Sequence, residues 1–341
     1  MHHHLLNLAL ALIATLILNR PVQAAEWIMP RTEHGHPDLQ GFWTNTTQTP
    51  IERPAHLGTQ HAWTEAEALA LEALALQADQ EKALPLDGDR GAPRTGDSVG
   101  QEADINFIDS YINVLRVKGE YRTSMIVDPP DGRFPFTADA REHGLIAGWR
   151  AAGFGAIDGP EMRPPAERCL SRGIPPMVVP PYNANYQIVQ TRDYVMILGE
   201  MINDARIIRL NGQHFPGEIK TWLGDSIGHW EGDALIVQTI DFRQEISHHR
   251  LLSTDLMTLS ERFEIVGENE IFYSFKVTDP AIYTRPFTEE MTLRRHGPGE
   301  HLYEYSCHEG NYSLPGILAG ARRQEQDALE LVRQQPSVEG N

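Results

Sequence analysis

Residues 181–210 read PYNANYQIVQTRDYVMILGEMINDARIIRL. Three short runs, 186–191, 194–201 and 205–210, are rich in β-branched and aromatic residues and are parted by Arg192-Asp193 and Asn203-Asp204, which is the punctuation of strands and not of helices. The texture continues through 234–239, 259–266, 271–278, 287–294 and 302–307. Asn211-Gly212, Glu231-Gly232-Asp233 and Gly267-Glu268-Asn269 fall between runs and suit hairpins. Strands that do not alternate with long helices exclude a doubly wound nucleotide fold, and no Gly-rich phosphate loop is present. The expected fold is mainly β: an antiparallel β-barrel over residues 105–341, with peripheral helices and a C-terminal helix at 316–333.

Upstream, residues 25–104 read as an arm, a helix and a loop. The arm, 26–61, lacks any sustained period, and Trp27, Phe42 and Trp43 are its expected anchors. A capping box, Thr64 with Glu67, opens a helix marked by Leu69, Leu71, Leu74 and Leu76 that Pro85 ends. Residues 86–104 form an acidic loop, two strands are expected at 112–117 and 121–127, and a short helix at 138–150. Residues 5–18 are the longest apolar run, too short to cross a bilayer but suited to a signal peptide, and Pro21-Val22-Gln23-Ala24-Ala25 supplies a cleavage site after Ala24. The chain is therefore expected to be periplasmic or secreted, without a membrane anchor once residues 1–24 are removed.

The chain has 29 Lys and Arg against 47 Asp and Glu, a formal charge of −18, which argues against nucleic acid or an anionic membrane as partner. Nothing in the sequence sets an oligomeric state. Its two cysteines, Cys169 and Cys307, read as one disulfide in an oxidising compartment. The competing reading is a nucleophilic Cys307 beside His308.

Several groups of residues can carry proton chemistry. Gly224-Asp225-Ser226-Ile227-Gly228 matches a serine-elbow pattern, but the residues after Gly228 read as a turn and a strand instead of a helix. His229 and Glu231, two apart on an extended chain, face one side and make an acid–base pair, or else a solvated hairpin edge. Tyr182, Asn183, Asn185 and Tyr186 gather donors and acceptors at a strand start, where barrels meet ligands. Glu200, Asp204 and Arg206 flank one turn. On a strand at 302–307, Tyr303, Tyr305 and Cys307 would share one face, and Glu304, Ser306 and His308 the other. His34-Gly35-His36 and His248-His249 lack the spacing of a zinc site, so neither metal nor other cofactor is expected.

The stretches Glu167-Arg168-Cys169-Leu170, Tyr182-Asn183-Ala184-Asn185-Tyr186-Gln187-Ile188-Val189-Gln190, Trp222-Leu223-Gly224-Asp225-Ser226 with Gly228-His229-Trp230-Glu231-Gly232-Asp233, and Cys307-His308-Glu309-Gly310-Asn311-Tyr312 resemble a family of exported proteins common in acidobacteria and sphingomonads. The resemblance covers about residues 120–325 and implies no particular reaction. It implies a calycin-like barrel holding an apolar small molecule.

The function expected from these features is an exported, cofactor-independent enzyme. It would perform isomerisation, cyclisation, elimination or hydrolysis on a mostly apolar substrate inside the barrel. His229, Glu231, Glu200, Tyr303 and Tyr305 are its candidate catalytic residues, and Tyr182, Asn183, Asn185, Tyr186, Arg206, Glu304 and His308 its ligand contacts. The alternative is a periplasmic carrier with the same pocket and no catalysis.

Overall fold

Where apolar residues alternate with polar ones, each strand turns one face inward, and the long runs at the C-terminal end do this most regularly. In β11 (Thr258–Gly267) the buried positions are Leu259, Glu261, Phe263 and Ile265; in β12 (Glu270–Thr278) they include Ile271, Tyr273, Phe275 and Val277. Phe287, Glu289, Met291 and Leu293 continue the inner face on β13 (Phe287–Arg295). Burying each large apolar side chain contributes roughly 1.5–3 kcal/mol, so these rows are a substantial part of what holds the fold together. The computed structural model describes residues 27–85, 111–173, 177, 179, 182–216, 219–244, 251–297 and 299–334. The expected signal segment, the acidic loop 86–104 and His248-His249 lie outside the described residues.

Among the described residues nine strands close into a barrel. Its order is β1 (Gly41–Thr44), β6 (Asn185–Gln190), β7 (Tyr194–Gly199), β8 (Ala205–Leu210), β9 (Asp225–Glu231), β10 (Ala234–Ile240), β11, β12 and β13, which returns to β1. Every neighbouring pair is antiparallel except β8 and β9, which run parallel with Ile208 opposite Ser226 and Leu210 opposite Gly228. The expectation of an all-antiparallel barrel is corrected here, and parity explains why. Each antiparallel step around a closed ring reverses strand direction, so an odd number of strands needs at least one parallel step. A parallel step needs a long crossover, which residues 211–224 supply. Asn211, at φ 52°, begins that crossover and not a hairpin.

The N-terminal arm closes the barrel. Trp43 of β1 is fully buried, donates its indole N–H to the Leu39 carbonyl at 2.9 Å, and lies under the Arg295 guanidinium. Trp27 is 39% exposed and does not belong to the core cluster. A tenth strand, β5 (Ile126–Asp128), pairs with the free stretch of β13 edge beside β1. β2 (Ala62–Trp63), β3 (Arg116–Val117) and β4 (Glu120–Arg122) form a small separate sheet. The two strands expected at 112–117 and 121–127 are thus three shorter ones.

Among the described residues three α-helices lie outside the barrel. α1 (Glu65–Lys82) has the expected capping box, in which the Thr64 amide donates to Glu67 at 2.8 Å and the Glu67 amide to the Thr64 hydroxyl at 3.3 Å. The helix expected at 138–150 is a 3₁₀ turn, Ala140–Glu142, followed by α2 (Leu145–Ala151). α3 (Ser313–Gln334) matches the expected C-terminal helix. No described helix is long and apolar enough to cross a membrane. Residues 302–307, expected as a strand, form a strap without strand pairing.

Candidate functional site at the barrel mouth

The ends of β6 and β7 build one mouth of the barrel. Tyr186 pairs with Gly199, and the amide of Glu200 donates to the Asn185 carbonyl at 2.9 Å, which places Glu200 beside the first residues of β6. Glu200 is buried, with its carboxylate turned to three donors. The Asn183 amide group donates to one oxygen, and Asn185 Nδ2 (3.3 Å) and the Tyr303 backbone N–H (3.2 Å) donate to the other. Asn183 reaches this position from a left-handed backbone, φ 55°, which asparagine tolerates better than most residues. Behind Asn185 stands His296, whose Nε2 lies 2.9 Å from Asn185 Oδ1 and whose Nδ1 meets Glu300. The imidazole holds the Glu300 carboxyl below its ordinary range.

The strap is fastened to this mouth at four points. Tyr303 donates to Glu200, Asn203 Nδ2 donates to the Tyr305 carbonyl at 2.9 Å, the Tyr182 and Tyr305 hydroxyls lie 3.1 Å apart, and Cys307 is joined to Cys169. The expected disulfide is therefore formed, and Cys307 is not a free nucleophile. Between the strap, the approach to β6 and the start of α3 lies a groove of about 730 Å³, lined by Tyr182, Asn183, Glu304, Tyr305, Leu314 and Ile317 among others. Burial, together with the bond to Tyr182, raises the Tyr305 hydroxyl well above the ordinary tyrosine range, so it keeps its proton at neutral pH.

The barrel interior, expected to hold the ligand, is filled by side chains. Arg206 lies there among strands and not at the turn with Glu200. Its guanidinium pairs with both oxygens of Glu261, donates to Thr239 Oγ1 at 2.8 Å and to Ser226 Oγ at 2.9 Å, while the Tyr273 hydroxyl donates to Glu261 at 2.8 Å. Burial opposes the charge on Arg206, but the Glu261 carboxylate beside it raises its pKa overall. Ser226, the centre of the serine-elbow pattern, is thus an interior strand residue. Gly224, at φ +71°, admits no side chain, since a Cβ would stand 2.7 Å from the Ile240 carbonyl, and one at Gly228 would stand 2.9 Å from Ile208. Tyr186 also points inward and is buried, which raises its hydroxyl pKa.

His229 and Glu231 do meet, with Nε2 and Oε1 3.0 Å apart, but their side chains are 46% and 59% exposed. Because β9 runs parallel to β8, these residues lie beyond Leu210, at the barrel end opposite Glu200 and the groove. They form the solvated hairpin edge, and Glu200 cannot orient His229. Glu304 accepts from Ser306 Oγ at 3.2 Å, Tyr303 has an exposed ring, and His308 is exposed in the turn after Cys307, so Glu304 and His308 form no ion pair. Asp204 turns to Ser171 and the Arg172 amide, and burial raises its pKa. The mouth thus gathers Tyr182, Asn183, Asn185, Glu200, Tyr303 and Tyr305. His296 and Glu300, which complete it, were not singled out from sequence, although an imidazole four residues before a carboxylate across a Gly-Pro-Gly stretch is a recognisable signal.

Among the described residues no three His, Cys, Asp or Glu side chains are grouped to hold a metal ion. No protein-family model matches the chain, and no curated protein matches it in sequence.

Proposed function

We propose that the protein is an exported binder of a small, partly apolar molecule, held in the groove at the barrel mouth. The observation that carries this reading is the groove itself, lined by the paired hydroxyls of Tyr182 and Tyr305, by Asn183 and the carboxylates Glu167 and Glu304, and by apolar Leu314 and Ile317. A few fixed polar points against apolar walls are what a small-molecule site needs. Export is supported by the apolar run 5–18 and by the Cys169–Cys307 disulfide.

A second reading, an enzyme doing acid–base chemistry on that molecule, is favoured by one observation. The Tyr182 and Tyr305 hydroxyls lie 3.1 Å apart in the groove lining, a pair that can donate to an oxygen that gains negative charge. Glu200 would then act as a positioning residue through Asn183.

Mass spectrometry of small molecules copurifying with the periplasmically expressed protein comes first. The binding reading expects one compound, recovered unchanged, whose retention falls roughly tenfold in Tyr305→Phe and Asn183→Ala and is unaffected in His229→Ala. The enzyme reading expects conversion that Tyr305→Phe slows by about 10²-fold or more, with affinity changed less than about tenfold. Retention indifferent to every groove substitution would overturn the binding reading, and conversion of a demonstrated substrate unchanged in Tyr305→Phe would overturn the enzyme reading.

A further inference from the structure

A second cavity, of about 420 Å³, opens beside α2 and the segment 156–168. In a chain of formal charge −18, its lining holds Arg141, Arg150, Arg163 and Arg168 against only Glu161 and Glu167. Arg163 is already committed, with Nε and Nη2 on the two oxygens of Glu167 at 2.8 and 3.0 Å. Arg141, Arg150 and Arg168 make no ion pair with any described carboxylate. His143, also in the lining, is occupied by Asp139 at 3.1 Å, and Asp158 nearby accepts from the Gly155 amide at 2.7 Å. Glu161 therefore stands alone against three uncommitted guanidinium groups.

Arginines gathered on one cavity repel each other unless an anion joins them, and the planar guanidinium fork matches a carboxylate. Apart from Gln244, the remaining wall is mostly apolar, supplied by Leu145, Ile146, Met162, Pro165 and Leu252 among others. An acidic protein repels simple anions at long range, so an anion that also brings apolar surface is favoured here. We propose that this cavity binds an organic carboxylate with an apolar body, its carboxylate on Arg141, Arg150 and Arg168 and its hydrocarbon part against Leu145, Met162 and Leu252. Glu167 lines both this cavity and the groove, so the two sites share a wall. The assignment does not rest on the reading of the groove.

Isothermal titration of the purified protein with decanoate, and separately with inorganic phosphate, tests it. Decanoate is expected to bind at one site and at least about tenfold more tightly than phosphate, with Arg150→Gln and Arg168→Gln each weakening it roughly tenfold. Glu161→Gln, which removes the opposing charge, should tighten it. Should Arg168→Gln fail to fold, the exposed Arg141→Gln and Arg150→Gln carry the same comparison. Phosphate binding as tight as decanoate, or decanoate binding indifferent to the arginines, overturns the proposal. Decanoate binding lost in Tyr305→Phe but kept in the arginine variants would also overturn it, while leaving the groove reading intact.

Discussion

Glu261 inside the barrel and Glu200 at its mouth are both buried carboxylates met by several donors, but the donors stand on different kinds of structure. Around Glu261 they come from strands: Arg206 on β8 and Tyr273 on β12, with Ser226 on β9 and Thr239 on β10 completing the arginine. Around Glu200 they come from the approach to β6, from its first residue and from a strap tied down by a disulfide. A network built on strands changes only with the sheet itself. One built on loops is re-aimed by moving a few residues, so the mouth is where ligand chemistry can vary while the barrel stays fixed.

The sharpest way to test this contrast is to break the interior pair. Arg206→Met strands Glu261 without its cation and is expected to cost about 3–5 kcal/mol in urea unfolding, most of it recovered when Glu261→Leu is added. A double variant as unstable as the single one would show that the network contributes packing and not charge pairing. Next comes Glu289, an interior carboxyl on β13 whose pKa burial raises to about 8 from an ordinary 4.5. With the folded value raised, its favourable contribution is fully present below pH 4.5, declines as pH rises, and is lost above about 8. Glu289→Gln should therefore match the parent near pH 4 and exceed it by about 2–4 kcal/mol at pH 9 in unfolding measured across pH. Parallel stability profiles for the two proteins would show that Glu289 ionises without penalty.

At the mouth, replacing Cys169 and Cys307 by serine opens a loop of sequence separation 138 and should cost about 2–4 kcal/mol. Hydrogen exchange should quicken at 301–312 and not in β11 to β13. Faster exchange in those strands would make mouth and interior one cooperative unit and erase the contrast. Smallest of all is His229→Ala, whose exposed pair with Glu231 is expected to contribute less than about 0.5 kcal/mol.

The strands were legible because alternation records which face is buried, as Arg206 and Ile208 record it on β8. That same alternation places Arg206 inside, yet its nearness in sequence to Glu200 and Asp204 suggested a group at one turn that meets the ligand. Strand direction leaves no mark in the pattern, so Asn211-Gly212 reads alike as a hairpin or as the start of a crossover. Residues 302–307 have the composition of a strand, but the strands at the mouth are already paired on both sides, and the run is held by Glu200, Asn203, Tyr182 and the disulfide instead. Tyr182, Asn183, Asn185, Glu200 and Tyr305 were visible as polar groups crowding strand ends. His296 was not, because its partner Asn185 is distant in sequence and only closure of β1 onto β13 brings them together.

The odd strand number fixes something that no single substitution can alter. If residues 211–224 were shortened to a tight turn, β9 would have to run against β8, and every later strand would reverse with it. β13 would then arrive at β1 in the same direction, abolishing the antiparallel pairing of Trp43 with Arg295 that now closes the ring. The mismatch behaves like the single half-twist of a closed ribbon: it can be slid to another place around the circle, but it is removed only by adding or deleting a strand.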